Sequence, residues 1–300
     1  MKIDKPSTTA LFVAHGMYYN AHQKHLIKDV PNDMAQYNIK LIDQIYDIKT
    51  SFAKKLKNVQ CAIAQFFTID GFYLHFLVRK KCIEKEAVAA IKKGAKQVVA
   101  LGAGYDTLCT RLAPQYPDVQ FVELDHPATA KNKIGIFQEL KWQHKNIKYL
   151  SGDLMEIDNI LNDQSTHKSL DKTLKTVFLC EGVLMYIPEK KISDLLQKLH
   201  DNFEKESTFI FTFMEENKPG NFQFKNAKTF VKLLLRVKNE PFTWGIPSDK
   251  LNDFTSKNGW TLQRTFDHNA MRKEFLSADN VILPVAIGEN VAVCVKTTKN

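Results

Sequence analysis

Apolar positions in the first third of the chain recur at the three- to four-residue spacing of helices. Between Asp33 and Lys49 they fall at Met34, Tyr37, Leu41, Ile45 and Ile48, the one-sided stripe of an amphipathic helix. Cys61–Phe67 is apolar again. Ile69–Lys93 carries Phe72, Phe76, Ile83, Val88 and Ile91, and Gly94 follows as a residue suited to end a helix. From Gln97 the pattern changes to short apolar runs separated by helical stretches. The runs are Val98–Leu101, Val119–Leu124, Ile147–Leu150, Thr176–Cys180, Thr208–Met214, Trp260–Phe266 and Val291–Thr297. A helix is expected through Ala130–Leu140. Another opens with Pro188 in its first turn and carries Ile192, Leu195, Leu196, Leu199 and Phe203 on one face. Strands alternating with helices predict an α/β protein with a mostly parallel sheet and helices on both faces. The last two strands suit an antiparallel pair at one sheet edge. The division expected is a helical N-terminal lid over residues 1–95 and a core over 96–300. An insertion at about 217–247 interrupts the core with a helix around Phe230–Val237. Ser248 is expected to cap a further helix, which Gly259 ends.

Composition narrows the functional classes. The chain has 300 residues, enough for one large domain, and a formal charge of +9. Five of its basic residues are arginines (Arg79, Arg111, Arg236, Arg264, Arg272) and the rest are lysines spread over the whole length. Base readout and bidentate phosphate contacts favour arginine, so dispersed lysine reads as a solvated surface rather than a nucleic-acid footprint. No apolar run approaches the roughly 20 residues of a membrane span. The N-terminal apolar patch is short and broken by His15, unlike a signal peptide, and the chain reads as cytoplasmic. Cys61, Cys82, Cys109, Cys180 and Cys294 are widely spaced, with no C-x-x-C pair and no zinc-like Cys/His cluster. They read as buried thiols, and no metal site is expected.

The stretch QVVALGAGYDTLCTRL, Gln97–Leu112, is a strand, a glycine turn and a helix start. Such a unit brings backbone N–H groups close to a ligand. The dinucleotide fingerprint requires a third glycine where this chain has Thr107. G-x-G followed by the acidic Asp106 suits a ligand without a pyrophosphate, such as S-adenosylmethionine. Ligands of open parallel sheets lie beyond the carboxyl ends of the strands. Those ends carry Gly102, Ala103, Gly104 and Asp106 after the first strand, Glu123 and Asp125 at the second, Asp153 at the third and Glu181 at the fourth. Asp106 serves either as a helix cap or as a ligand contact. Asp125, nearer the tip than Glu123 and roughly 20 residues past the glycine loop, suits two ribose hydroxyls. Asp153 either accepts from an adenine amino group or closes a turn with Gly152. Glu181 follows an apolar strand directly and needs a partner if buried; a ligand ammonium is one.

In order and spacing, LGAGYDT, FVELDHP with Lys131 shortly after, GDL, CEGVLMYIP and PFTWGIPSDKLNDFTSKNGW resemble the leucine carboxyl methyltransferase family. That family is a branch of the class I S-adenosylmethionine-dependent methyltransferases. Its bacterial members include small-molecule O-methyltransferases, some similar to polyketide carboxyl methyltransferases. The resemblance covers most of residues 70–265. It implies a Rossmann-like, seven-stranded, mostly parallel sheet with a helical lid and an insertion after strand five. It implies that Arg79 grips the methionine carboxylate, Gly102 lies in the binding loop and Asp125 takes the ribose. Asp153 and Leu154 would flank the adenine, and Glu181 would stand near the methionine amino group. Leu108 departs from the arginine of many bacterial members.

The expected activity is methylation of a carboxylate, or a hydroxyl, of a small organic molecule. A carboxylate is already ionised and needs no general base, so catalysis is proximity and alignment; a hydroxyl needs a base. No histidine stands clearly at a strand tip, and His126 is expected to pack beside Asp125. Tyr186 is a candidate for the acceptor pocket, with Phe242 and Trp244 as apolar walls and Arg236 as a holder of acidic substrate. The alternatives are a protein C-terminal carboxyl methyltransferase and a non-catalytic cofactor-binding protein. An amino-group methylase of nucleic acids would carry an Asp/Asn-Pro-Pro-Tyr/Phe motif, and a pyrimidine-ring methylase a Pro-Cys pair; both are missing from this sequence.

Overall fold

Seven strands form one sheet in the order β3-β2-β1-β4-β5-β7-β6. They are β1 (Gln97–Leu101), β2 (Gln120–Asp125), β3 (Ile147–Ser151), β4 (Thr176–Cys180), β5 (Thr208–Met214), β6 (Trp260–Phe266) and β7 (Glu289–Lys296). All seven fall within about two residues of the sequence expectation. Those from β1 to β5 run parallel, and β7 is antiparallel to both neighbours, β5 and β6. The computed structural model describes residues 5–163, 166, 169–216, 218, 220–226 and 242–297. The helix expected around Phe230–Val237, and Arg236 with it, lie outside the described residues.

The two-residue period of a strand sorts its side chains onto two faces. Val98, Phe121, Val177, Leu179 and Ile210 face one core; Val99, Val122, Phe178, Cys180 and Phe209 face the other. The first core is covered by α1 (Thr8–Ala21), α2 (Asn32–Ile45), α4 (Phe72–Lys92), α5 (Leu108–Leu112), α6 (Pro127–Glu139) and α10 (His268–Phe275). The second is covered by α7 (Ile157–Asn162), α8 (Glu189–Asn202) and α9 (Leu251–Lys257). Helix α3 (Ser51–Phe66) packs on α1. The five cysteines are free and buried. None of the described helices is long and apolar enough to cross a membrane.

Helix α4 joins the helical N-terminal third to the sheet. It lies against β4, β5 and β7 as well as α1 and is buried on nearly every side. It starts at Gly71, whose φ of 72° and a would-be Cβ only 1.8 Å from the Pro284 carbonyl oxygen admit no side chain. Two local expectations are corrected. Ser248 caps no helix: its Oγ donates to Glu215 (3.3 Å), and α9 begins directly after a turn over residues 248–250, with Lys250 at its N-cap. Pro188 stands at the N-cap of α8 rather than in its first turn.

Helix α1 contains an acid-sensitive joint. His15 stacks on Tyr46 (centroids 5.3 Å apart), and its Nε2 is buried without a partner. Burial, helped by Lys57, lowers its pKa from 6.5 to about 4. The unfolded chain therefore takes up this proton first, and stability is lost as pH falls from 6.5 towards 4. In thermal melts across that window His15→Phe is expected to lose less Tm than the parent; parallel curves would refute the assignment.

Candidate active site

One cavity of about 860 Å³ opens beyond the carboxyl ends of β1, β2, β3 and β4, where the strand order reverses between β1 and β4. Its glycine wall comes directly after β1. Gly102 has φ 71°, and a Cβ there would come within 2.4 Å of Val183 Cγ2. Backbone and cavity therefore meet with no side chain between them. The amides of Gly102 and Ala103 donate to the Leu124 carbonyl at 2.8 and 3.1 Å, and that of Gly104 donates to Asp125 Oδ2 at 2.5 Å. His126 N donates to the other oxygen of Asp125 at 2.6 Å. Burial raises the pKa of Asp125 even so, against the pull of those two amides.

Asp106 serves the start of α5 and also pairs with a cation. Its Oδ1 accepts from Leu108 N (3.0 Å) at the start of α5, and its Oδ2 accepts from Lys80 Nζ (2.9 Å). Burial works against its charge, but Lys80 overrides that and holds the carboxyl below its usual range. Asp153 Oδ1 accepts from Met155 N (2.9 Å) and so caps the short turn Leu154–Glu156 at the rim.

The charged end is built by α4. Arg79 is only 3% exposed. Its Nε donates to Glu181 Oε1 at 2.9 Å, and its Nη1 to Glu289 Oε2 at 2.6 Å. Lys80 reaches Glu181 as well as Asp106. His75 Nε2 lies 3.0 Å from Glu289 Oε2. Burial would raise the pKa of Glu289, yet Arg79 and His75 outweigh it and hold the carboxyl down to about 2. The second oxygen, Glu289 Oε1, is buried without a partner at the cavity wall. Arg79 and Lys80 thus face three carboxylates, Asp106, Glu181 and Glu289, with His75 against the last. One buried acceptor, Glu289 Oε1, is left unused.

The model of the leucine carboxyl methyltransferase family matches residues 14–200, a span that holds the glycine turn, the strand-tip acids and Arg79. The chain belongs to this family. It is an S-adenosyl-L-methionine-dependent methyltransferase. A Bacillus subtilis protein, YktD, assigned as an S-adenosyl-L-methionine-dependent methyltransferase, is 26% identical over 72% of this chain and 73% of its own. A Caenorhabditis briggsae relative, named for leucine carboxyl methyltransferase 1, is 22% identical over 78% of this chain and 76% of its own. A Mycobacterium ulcerans relative, assigned like YktD, is 29% identical over 62% of this chain, and the match spans 56% of that relative. Two solved structures share the fold. One is a Thermobifida fusca protein described as a methyltransferase (TM-score 0.59, 16% identity, 86% and 94% of the two chains). The other is a DUF574 family protein from Streptomyces avermitilis (TM-score 0.58, 13% identity, 95% and 97%).

In this methyltransferase the cavity brings together ten of the residues the sequence nominated: Arg79, Gly102, Ala103, Gly104, Asp106, Asp125, Asp153, Leu154, Glu181 and Tyr186. His126 also lines it, with Nδ1 buried and unpartnered. Phe242 packs on Tyr186 (centroids 5.4 Å) and forms part of the wall. Trp244 does not: it is buried in the second core against Phe254. Glu123 lines the cavity but is held in a 2.7 Å ion pair with Lys133. Lys131 is exposed.

Sequence reasoning missed Lys80, Glu289 and His75. Lys80 was hidden in the run Arg79-Lys80-Lys81. Glu289 lies beyond the residues matched by the family model. A signal for it existed, because an antiparallel strand starts at the edge where its parallel neighbours end.

Proposed function

We propose that this methyltransferase acts on a carboxylate oxygen of a small organic molecule. The observation that carries the reading is the charged end of the cavity, where Arg79 and Lys80 interleave with Glu181, Glu289 and Asp106 beside the glycine turn. A zwitterionic amino-acid group fits there: its carboxylate towards the forked guanidinium of Arg79 and towards Lys80, its ammonium towards Glu181 and the unpartnered Oε1 of Glu289. Each oxygen of Asp125 already accepts one backbone N–H and has a lone pair left for a ribose hydroxyl. Gly102, Ala103 and Gly104 would let the cofactor approach the backbone, and Asp153 and Leu154 would flank its base. Bound there, S-adenosyl-L-methionine supplies an electrophilic methyl on a positively charged sulfur.

The chain's own groups favour an acceptor that arrives ionised. Lys80 holds Asp106 below its usual range and Glu289 is held far below neutrality, so neither takes up a proton at neutral pH. Tyr186 is proposed to line the acceptor side. A second reading, methylation of a protein's C-terminal carboxylate, is favoured by the name of the Caenorhabditis briggsae relative. Small acids and a leucine-ended peptide, each incubated with the protein and S-adenosyl-L-methionine, separate the two by mass spectrometry. Methyl esters of small acids, cleaved by mild base, are expected. A base-stable product would overturn the carboxylate, and modification of the peptide alone would overturn the small molecule.

A further inference from the structure

The cavity has two ends of opposite character. Six of its lining residues make a continuous belt of rings running from α1 across α4 to the loops after β4 and β5. Phe12 lies 6.0 Å from Phe76, and Phe76 lies 4.6 Å from Phe72. Phe72 lies 5.1 Å from Phe224, Phe224 lies 6.0 Å from Phe242, and Phe242 lies 5.4 Å from Tyr186. The belt begins where the charges stop: the Arg79 guanidinium sits 5.1 Å from the Phe76 ring centre. Among the described residues, the parts of α1 and α3, the first turn of α4 and the segments around Phe224 and Phe242 put no charged side chain into the cavity. Pockets for small ligands measure roughly 300–1,000 Å³, and at about 860 Å³ this cavity lies near the top of that range. There is room for a second molecule beside a cofactor.

We propose that the methyl acceptor is a monocarboxylic acid whose uncharged acyl body lies along this belt, its carboxylate turned towards the proposed cofactor. The inference rests on the proposed cofactor and carboxylate acceptor and adds the substrate class. A carboxylate oxygen forms the new O–C bond with one of its lone pairs. The electron pair of the broken S–C bond stays on sulfur, and no proton moves. Anion and sulfonium become ester and thioether, both neutral. An apolar, ring-lined wall favours such a step because charge is lost in it, and a low-polarity surrounding penalises separated ions more than neutral products. The same wall discriminates. Every methylene laid against it is removed from water, whereas a second carboxylate at the far end of the acid would be buried without a partner.

The test compares hexanoate, decanoate and decanedioate, titrated into the protein saturated with S-adenosylhomocysteine and followed by calorimetry; ester formation with S-adenosyl-L-methionine is read by mass spectrometry. Affinity is expected to rise about fourfold per added methylene, and decanedioate to bind at least a hundredfold more weakly than decanoate. Phe242 is only partly buried, so it tolerates exchange. Phe242→Glu is expected to abolish decanoate binding while leaving that of S-adenosylhomocysteine unchanged. Phe242→Arg is expected to bring decanedioate up to the level of decanoate, which a merely structural role for the ring would not do. Equal affinity for the mono- and diacid, or no binding of any acid to a protein that does bind S-adenosylhomocysteine, overturns the substrate class and leaves the cofactor reading standing. Failure to bind S-adenosylhomocysteine overturns both.

Discussion

Arg79→Ala is expected to weaken S-adenosyl-L-methionine binding by about 10²–10³-fold, the cost of removing one partner from a desolvated charged contact. The same change strands carboxylates inside the protein. Arg79 satisfies Glu181 and Glu289 at once, and Glu289 is 1% exposed. Breaking a buried pair from one side costs about 3–5 kcal/mol, so the thermal midpoint should fall as well, and affinity must be read by calorimetry well below it. The pH response identifies the cause. Glu289 titrates near 2 in the folded protein against 4.5 ordinarily. Its contribution to stability is therefore complete above pH 4.5 and is lost as pH falls towards 2. In Arg79→Ala that acid-labile part should shrink, because the carboxyl loses the cation that holds it down. Arg79→Lys keeps the charge without the fork and should recover stability better than affinity. A variant that binds the cofactor as the parent does would remove Arg79 from the proposed site.

Lys133→Met is expected to cost about 3–5 kcal/mol, a fall in Tm on the order of 10 °C. Lys133 and Glu123 are both buried and 2.7 Å apart. Burial raises the Glu123 pKa, and Lys133 is the main influence opposing it. Without the ammonium the carboxylate is left in the floor behind the glycine turn and must take up a proton. The double variant Lys133→Met, Glu123→Leu should regain most of the loss, since an apolar pair of similar volume often replaces a buried ion pair at little cost. Thermal melts of parent, single and double variants decide it. A double variant no more stable than the single one would mean that the ammonium has a further role, and Asp106 and Asp125, whose charges Lys133 also supports, would be its objects.

The sheet was legible because strand and helix periods differ and every strand is bounded by glycine, proline or charge. The glycine turn and the strand-tip acids were legible for the same reason: topology puts them on one edge whatever the side chains do. Helix α4 was legible as a helix but not in its orientation. A helix buried on nearly all sides has no polar face to reveal how it sits, so Arg79 was placed only by the family resemblance, and the inward direction of Lys80 came only from packing against β4, β5 and β7. Glu289 was missed because its partners are distant in sequence and meet it only when β7 inserts antiparallel between β5 and β6. Trp244 was misplaced because an aromatic residue near a site motif reads alike in a wall and in a core. Lys133 could not be told from Lys131 by spacing alone, although only the former turns inward to Glu123.

The central claim is that the charged end of the cavity holds the amino-acid portion of S-adenosyl-L-methionine. Calorimetry of the parent protein with S-adenosylhomocysteine and with 5′-methylthioadenosine, which lacks that portion, tests it most directly. One-to-one binding of S-adenosylhomocysteine is expected, with binding of methylthioadenosine weaker by at least about a hundredfold, the loss of its charge-assisted contacts. Equal affinity for the two, or no binding of either, would contradict it.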